Sequence, residues 1–281
     1  MNLVEFIQTN KAYFEDFVSR NTYHTNSIEG STLTLGQTYA LLFGDNSIQI
    51  HATPREIFEA INHKKAMSLI FDMISIENYR KDIKINLDES MIKDINETIN
   101  ADVLNTKGYR KVSVMIRGAN QLPPAPEKVP NFMMYFIDNY NHYPVNTIED
   151  IYTKTAHFHI EFERIHPFED GNGRTGRLLI NYELLRNDIA PIVIPIEKRA
   201  EYFEFINSKN VEGLSSFIKK LSQQEKERMD RMIEIDVHEK TSKLVESRIL
   251  EERINGSKDK HEKNVSEKKK EPHKVQNNEE R

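Results

Sequence analysis

The feature that most constrains the fold is the spacing of apolar residues, which recur at helical intervals over most of the chain. One stripe lies on a predicted opening helix and consists of Leu3, Phe6, Ile7, Phe14, Phe17 and Val18. Further stripes follow helix-start signals at Thr53 with Glu56, at Asp88, and at Thr147 with Asp150. Because each stripe can bury one face of a helix, we predict a mostly α-helical domain.

One segment, residues 109–117, departs from this spacing. Its apolar residues alternate with Ser113, Met115 and Arg117, as in a β-strand; they are Val112, Val114 and Ile116. Gly118 and three prolines between positions 121 and 126 then prevent a helix from following. We therefore predict a short β-hairpin, or flap, within the helical domain.

The C-terminal part of the chain has a different composition, with no aromatic residue after Phe217. Residues 221–255 are predicted to form a helical extension of the domain, which we place at 1–220. Residues 256–281 contain eight Lys/Arg and six Asp/Glu and hardly any apolar side chains. Such a segment cannot bury enough surface to offset its ordering entropy, so we predict a disordered charged tail. The run Lys268–Lys270 could contact nucleic acid or a membrane surface, but the interspersed acids favour a solvated tail.

Composition narrows the class of protein. The chain of 281 residues has a formal net charge of −5, which argues against an overall electrostatic grip on nucleic acid. It has no cysteine, which excludes disulfides, thiolate metal sites and cysteine nucleophiles and fits a reducing compartment. The N-terminal residues show no secretory signal, and no apolar run reaches the roughly 18 residues of a membrane span. We expect a cytoplasmic protein without a membrane partner.

The residues from His166 to Arg177 carry the recognisable chemistry. Pro167 disfavours helix at the residue before it, and apolar spacing resumes at Leu178, so His166 is predicted in a loop between two helices. The loop sequence Asp170-Gly171-Asn172-Gly173 leads into a helix N-terminus, where backbone N–H groups and the helix dipole attract anions. The segment lacks the Gly-Lys-Ser/Thr ending of a P-loop, which excludes that class of phosphate site.

Each residue type in this segment has a chemical use. A histidine with a pKa near neutrality can accept the proton of an attacking hydroxyl, which suits His166. The carboxylate of Asp170 can hold Mg²⁺, which prefers oxygen ligands and substrate phosphates. Arg174 and Arg177 are three residues apart and can face the same phosphate. Taken singly, the same side chains could be a loop residue, a helix cap and surface charges.

Residues 166–177 resemble the signature of the Fic family, His-Pro-Phe-x-Asp/Glu-Gly-Asn-Gly-Arg-x-x-Arg, at every specified position. The resemblance extends from about Asn21 to Phe217 and leaves out the tail. It implies a Fic-type helical bundle with a β-hairpin flap beside the motif. It also implies a protein adenylyltransferase, which moves AMP from ATP to a Ser, Thr or Tyr hydroxyl of a protein, itself included.

The resemblance further implies roles for single residues. His166 would be the general base and Asp170 the Mg²⁺ ligand, and the segment from about Val114 to Gln121 would be the flap that aligns the target. The residues expected to bind ATP are Asp170, Gly171, Asn172, Gly173, Arg174, Thr175, Gly176, Arg177, Tyr202 and Asn210.

A second match lies at residues 25–30, Thr-Asn-Ser-Ile-Glu-Gly, which resemble the inhibitory motif Ser/Thr-x-x-x-Glu-Gly/Asn of the same family. The resemblance implies an N-terminal inhibitory helix at about 22–30, in which Glu29 pairs with Arg177 and blocks productive placement of the γ-phosphate. Without the resemblance, Glu29 followed by Gly30 reads as an ordinary helix end.

The sequence leaves three other functions open. The enzyme could transfer a different phosphate-containing group, or Glu29 could assist removal of AMP from a modified protein. A nucleic-acid-binding regulator is a third, which the mixed charge of the C-terminal region argues against. The resemblance also suggests a possible homodimer, and the target protein is not identified by the sequence.

Overall fold

Helices form the regular secondary structure of the described residues, which are 2–45, 47–79, 85–105, 107–116 and 122–235 of this computed structural model. In chain order the helices are α1 (Leu3–Thr9), α2 (Lys11–Glu29), α3 (Leu35–Phe43), α4 (Pro54–Tyr79), α5 (Glu89–Asn100), α6 (Val129–His142), α7 (Ile148–Ile165), α8 (Asn172–Arg186), α9 (Arg199–Ser208) and α10 (211–235). Two single 3₁₀ turns, Pro126–Lys128 and Ile196–Lys198, precede α6 and α9. This confirms the predicted mostly α-helical fold.

Local capping explains where several helices begin. Asp88 accepts a hydrogen bond of 2.8 Å from the backbone N–H of Met91 at the start of α5. Thr147 and Asp150 form a reciprocal capping box at the start of α7. These two helix starts confirm the signals in the sequence, because each side chain satisfies a backbone N–H that has no partner within its helix.

The predicted single opening helix is wrong, because Asn10 divides it into α1 and α2. The backbone of Asn10 is extended, its N–H donates to the carbonyl of Phe6, and its side chain accepts from the N–H of Tyr13. One residue thus ends the first helix and caps the second. Most of the apolar stripe is nevertheless buried on both helices, with Ile7 and Phe17 fully inaccessible to solvent and Leu3 and Phe14 half-buried.

Helices α7 and α8 pack against each other at the centre of the domain. Helix α4 packs on α5 and α8, and α2 packs on α3, α4 and α8. The core beside α7 and α8 includes Ile28 of α2, Ile160 of α7, Leu184 of α8 and Tyr202 of α9. This packing brings the C-terminal end of α2 and the N-terminal end of α8 to the same side of the domain.

The segment predicted as a strand does not pair as one in the described residues. Residues 109–116 have no β-ladder, and the side chains of Val112 and Met115 are 53% and 84% exposed. A strand needs a neighbour to satisfy its backbone groups, and none is present within the described part of this region. The predicted hairpin is therefore not formed at 109–116, and its central part, 117–121, lies outside the described residues.

The C-terminal helix α10 begins at 211 and is described as far as 235. Residues Met1–Arg228 form one compact unit, in which Glu225 of α10 makes an ion pair of 2.7 Å with Arg20 of α2. Residues 229–235, also helical, belong to a second unit. The rest of the predicted extension and the predicted tail lie outside the described residues. Within those described, no helix has both the length and the hydropathy needed to cross a membrane.

Candidate active site

The loop between α7 and α8 begins at His166, which ends α7. Its backbone lies in the left-handed region, with φ 47° and ψ 63°, and its N–H donates to the carbonyl of Phe162 at 2.9 Å. This conformation costs a non-glycine residue about 1–2 kcal/mol, so surrounding contacts must hold it. Gly171, with φ 77°, precedes α8 and turns the chain into that helix.

Neutral amide side chains give the loop its shape. The buried Asn172 accepts from the N–H of Phe168 at 2.9 Å and donates to the carbonyl of Phe168 at 2.8 Å. Asn96 and Asn100, on α5, each donate to the carbonyl of Asp170 at 3.0 Å. One feature of the sequence points to these two residues, since polar asparagines lie beside the apolar stripe of α5, but it does not indicate their role at the loop.

The imidazole of His166 is held in its neutral form. Burial lowers its pKa to about 4, although a hydrogen bond to the carbonyl of Glu163 acts in the opposite direction. Nδ1 lies 3.3 Å from that carbonyl, so Nδ1 carries the hydrogen and Nε2 keeps its lone pair. A neutral imidazole with a free Nε2 has the state required of a general base near pH 7.

Asp170 lies among cationic groups. Its Oδ1 accepts from the N–H of Gly171 at 2.6 Å and is 3.4 Å from Nη2 of Arg174, and its Oδ2 pairs with Arg55 of α4. Arg174, 2% exposed, also has Nη1 3.3 Å from Glu59. Arg55 and Glu59 follow the predicted start of α4, and the sequence did not indicate that they reach this site.

Arg177 connects α8 to the end of α2. Its Nε donates to the hydroxyl of Thr25 at 2.6 Å, and its Nη2 donates to the carboxylate of Glu29 at 2.6 Å. Burial disfavours the charge on Arg177, but the neighbouring Glu29 raises its pKa above the ordinary value. Its Nη1 is buried and has no hydrogen-bond partner among the described residues. One donor of a buried cation is thus left for a ligand.

Gly173 leaves room for this contact in the first turn of α8. A Cβ atom at this position would overlap Oε1 of Glu29 and would lie 2.9 Å from Nη1 of Arg177. Real Cβ atoms essentially never come this close to another heavy atom. The missing side chain therefore leaves a small volume beside the N-terminus of α8, next to the guanidinium of Arg177, and the carboxylate of Glu29 fills it.

Two further residues of the predicted ATP set are buried within the helix packing. Thr175 is fully buried and accepts from Nδ2 of Asn96 at 3.1 Å. Gly176 faces α7, since a Cβ there would lie 2.7 Å from Oε1 of Glu163 and 2.9 Å from Cε1 of His159. The structure thus places Thr175 and Gly176 in contacts that hold α8 against α5 and α7.

Tyr202 and Asn210 lie apart from the loop in different ways. Tyr202 is fully buried in the core, with its hydroxyl 2.7 Å from Nε2 of His159. Asn210 is exposed and accepts from the N–H of Gly213 at 2.8 Å, at the start of α10. These hydrogen bonds join Tyr202 to α7 and Asn210 to the start of α10, and Tyr202 also lies near Arg177, whose charge opposes the rise in the pKa of Tyr202 that burial causes.

The donor set fits Mg²⁺ that arrives with phosphates. In the part of the chain that the structure describes, no group of three or more His, Asp or Glu side chains could hold a metal ion by itself. Asp170 supplies one carboxylate beside a helix N-terminus and two arginines. Mg²⁺ commonly takes one or two carboxylates, several waters and substrate phosphates, which is the mode that a lone carboxylate permits.

Comparisons with known proteins agree with this arrangement. The Fic/DOC family model matches residues 86–184, which include α7, the loop and nearly all of α8. Protein adenylyltransferase fic-1 of Caenorhabditis elegans is 32% identical over 217 residues, covering 75% of this chain and 40% of that protein. Its counterpart in Caenorhabditis briggsae is 31% identical over 212 residues, with the same shares. The chain therefore spans about 40% of the length of these curated relatives.

Solved structures give the same result for the fold. A Fic domain containing signaling protein from Bacteroides thetaiotaomicron has 28% sequence identity and a TM-score of 0.65, over 76% of this chain and 86% of that one. Fic-1 from Caenorhabditis elegans has 26% identity and a TM-score of 0.60, over 82% of this chain and 65% of that one. With the complete motif placed between α7 and α8, residues 86–184 of this chain are a domain of the Fic/DOC family.

Proposed function

We propose that this chain is a protein adenylyltransferase, which transfers AMP from Mg·ATP to a Ser, Thr or Tyr hydroxyl of a protein, its own chain included. The observation that carries the proposal is the pairing of a neutral His166 with the N-terminus of α8, where Arg174 and Arg177 supply positive charge. The names of the relatives in Caenorhabditis support the same activity.

The chemistry follows from the states of these groups. The acceptor hydroxyl gives its proton to Nε2 of His166 as its oxygen forms a bond to the α-phosphorus. The bond from that phosphorus to the bridging oxygen breaks, and pyrophosphate leaves. The N–H groups at the start of α8, with Arg174 and Arg177, stabilise negative charge on the phosphates.

Mg²⁺ would be held by Asp170. When bound, it would neutralise phosphate charge and orient the leaving group. Oδ2 of Asp170 pairs with Arg55, and Oδ1 lies near Arg174. Binding of a cation at Asp170 therefore requires these guanidinium groups to turn toward another anion, and the phosphates of ATP provide one.

Autoinhibition by Glu29 is part of the proposal. The carboxylate bonds to Arg177 and lies against Gly173, so it puts negative charge into the volume beside the N-terminus of α8. A phosphate there would meet that charge and would lose the arginine that should bind it. We therefore propose that Glu29 must leave Arg177 before ATP is placed for transfer.

Two alternatives share this site and need a discriminating test. Another phosphate-containing donor could use the same helix N-terminus, and Glu29 could assist removal of AMP because its carboxylate lies at that helix. The proposal also includes formation of a homodimer. It further includes a cytoplasmic location, which suits a chain without cysteine.

The test compares labels on the two ends of ATP. The Glu29→Gly variant is incubated with ATP labelled at the α-phosphate or at the γ-phosphate, and protein-bound label is counted. AMP transfer predicts label from α only, with one pyrophosphate released per label. Protein-bound label from the γ-phosphate would indicate phosphoryl transfer. If neither labelled ATP leaves label on the protein, the adenylyltransferase proposal is wrong. A panel of other nucleotide donors then tests the donor alternative.

A further inference from the structure

Arg110 is a buried arginine whose hydrogen bonds to the described residues all go to backbone carbonyls. The residue is 3% exposed and lies at the start of the extended segment 109–116. Its Nε donates to the carbonyl of His166 at 2.7 Å, and its backbone N–H donates to the carbonyl of Pro167 at 2.9 Å. Its Nη1 donates to Val112 at 3.1 Å, and its Nη2 donates to Pro124 at 2.5 Å.

The partners of Arg110 fall into two groups. The carbonyls of His166 and Pro167 follow the end of α7, where backbone acceptors lack helical partners and a cation is favourable. The carbonyls of Val112 and Pro124 lie on either side of the predicted flap. One planar guanidinium therefore joins both sides of that segment to the residue that carries the proposed base.

This connection has a consequence for the direction of the imidazole. His166 has a left-handed backbone conformation that is uncommon for a non-glycine residue, with φ 47°. Arg110 fixes the carbonyl that follows the Cα of His166, and the carbonyl of Glu163 fixes Nδ1. The ring is thus held from both its backbone and its side chain. Removing the first contact would leave the backbone free to relax.

The extended segment beside Arg110 has backbone groups to offer. Within the described residues, 111–116 have no paired strand, and the side chains of Val112 and Met115 are exposed. An unpaired extended segment can bond to the backbone of another polypeptide. Because the guanidinium of Arg110 bonds to both this segment and His166, it would set the distance between a polypeptide bound there and His166.

We propose that Arg110 is a positioning residue, which holds His166 and the segments at Val112 and Pro124 in a fixed relation so that an acceptor hydroxyl meets Nε2. The inference rests on the proposed adenylyltransferase function. Arg110 does not touch the phosphates in this arrangement, so its loss should affect transfer to the acceptor and should leave ATP binding intact.

The test uses Arg110→Lys and Arg110→Gln in the Glu29→Gly background. Lysine keeps the charge but cannot bond in a planar fork, and glutamine is neutral and has a single, shorter amide NH₂ group in place of the guanidinium. Self-labelling from α-labelled ATP, the dissociation constant of Mg·ATP by calorimetry, and amide hydrogen exchange are measured on each variant. Arg186→Lys is the matched control, because Arg186 is also a buried arginine that donates to a carbonyl, that of Ile85, away from this site.

We expect both Arg110 variants to lose labelling by tenfold or more while the dissociation constant of Mg·ATP changes less than twofold. Amide exchange should quicken in peptides covering 111–116, 122–128 and 164–170, and elsewhere it should match the parent. Arg186→Lys should keep the labelling rate of the parent.

Several results would overturn the inference. Labelling within twofold of the parent would do so, and so would a parallel loss of ATP affinity with faster exchange throughout the domain. If neither variant folds, Arg110 is a stabilising residue and the positioning role is wrong. If the Glu29→Gly parent itself takes no label, the adenylyltransferase proposal fails instead, and the exchange data still show whether Arg110 joins the two segments.

Discussion

Glu29 and Arg177 form an ion pair of 2.6 Å between residues 148 positions apart in the chain. The two partners differ in environment, since the side chain of Glu29 is 40% exposed and that of Arg177 is 7% exposed. The carboxylate can therefore return to water at little cost, whereas the guanidinium left behind is a buried cation without its anion. Such a cation should bind any phosphate that takes the place of the carboxylate.

Replacing Glu29 tests this relationship directly. In Glu29→Gly, we expect labelling from α-labelled ATP to rise tenfold or more, since about 1.4 kcal/mol of barrier corresponds to a tenfold change in rate. The dissociation constant of Mg·ATP should fall. Both quantities are measured at equal concentrations of folded protein.

Two controls separate inhibition from a change in helix stability. Glu15→Gln removes another carboxylate from α2, one that bonds to Tyr39, and should leave labelling unchanged. Glu29→Gly combined with Arg177→Ala should lose most of the gain, because the released arginine is its proposed cause. Equal labelling by the wild type and Glu29→Gly would contradict the inhibitory role.

Replacing His166 should separate catalysis from nucleotide binding. We expect His166→Ala in the Glu29→Gly background to lose at least a hundredfold in labelling, within the range that a general base contributes. Binding of Mg·ATP by calorimetry should persist, because the imidazole acts on the acceptor hydroxyl. His157→Ala, which removes a more exposed histidine of the same helix, is the control and should keep its activity. Undiminished labelling by His166→Ala would exclude the mechanism proposed above.

A methyl group at Gly176 should destabilise the domain. The added Cβ would lie within 3 Å of Glu163 and His159, both of which are buried, so neither can yield freely. We expect Gly176→Ala to lower the free energy of unfolding by about 1–3 kcal/mol, as overpacking does elsewhere. Gly36→Ala is the matched control, since its Cβ would make an ordinary contact of 3.6 Å with Ile48. Urea titration measures both, and equal midpoints would show that α7 and α8 can separate at no cost.

Stability should fall as the pH is lowered from 7 to 5. Burial lowers the pKa of His63 and of His159 to about 3, so the unfolded chain binds protons near pH 6.5 that the folded chain does not. Each histidine therefore removes up to about 1.4 kcal/mol per pH unit below about 6.5. Glu163 has the opposite sign, because burial raises its pKa to about 7 and the folded state holds its proton as the pH falls through 7.

The two signs can be resolved by substitution. The urea midpoint of His63→Gln should depend less steeply on pH between 7 and 5 than that of the wild type. Glu163→Gln should depend on it more steeply, because the opposing group is gone. His142→Gln, which alters a largely exposed histidine, should follow the wild-type curve. If the curves of His63→Gln and Glu163→Gln superimpose on that of the wild type, these buried groups do not govern the acid dependence.

The sequence predicted what depends on neighbouring positions along the chain. The starts of α5 and α7 could be found because Asp88 and Thr147 cap helices through bonds to residues three positions later. The loop at His166 could be found because Pro167 restricts the residue before it. The helix break at Asn10 could not be predicted, because an asparagine between apolar residues is typical of a solvent-facing position on a continuous helix. The apolar residues on both sides of Asn10 are also mostly buried, as they would be in one helix.

The contacts that hold the site come from distant parts of the chain and could not be predicted. Arg110 reaches His166 across 56 positions, and Asn100 reaches Asp170 across 70. No sequence pattern distinguishes Arg110 or Asn100, because an arginine after a tyrosine and an asparagine on a helix are common in many structural roles. The resemblance indicated which residues should act, and the geometry adds that Thr175 and Gly176 also contact the neighbouring helices.

The three asparagines that shape the loop have a consequence for how the protein responds to its surroundings. Asn96, Asn100 and Asn172 hold backbone groups without carrying a charge. An amide does not titrate between pH 2 and 12, and ionic strength hardly weakens its hydrogen bonds. Acid, base and salt can therefore alter the charges that face a nucleotide without breaking the amide contacts that hold the backbone at Phe168 and Asp170.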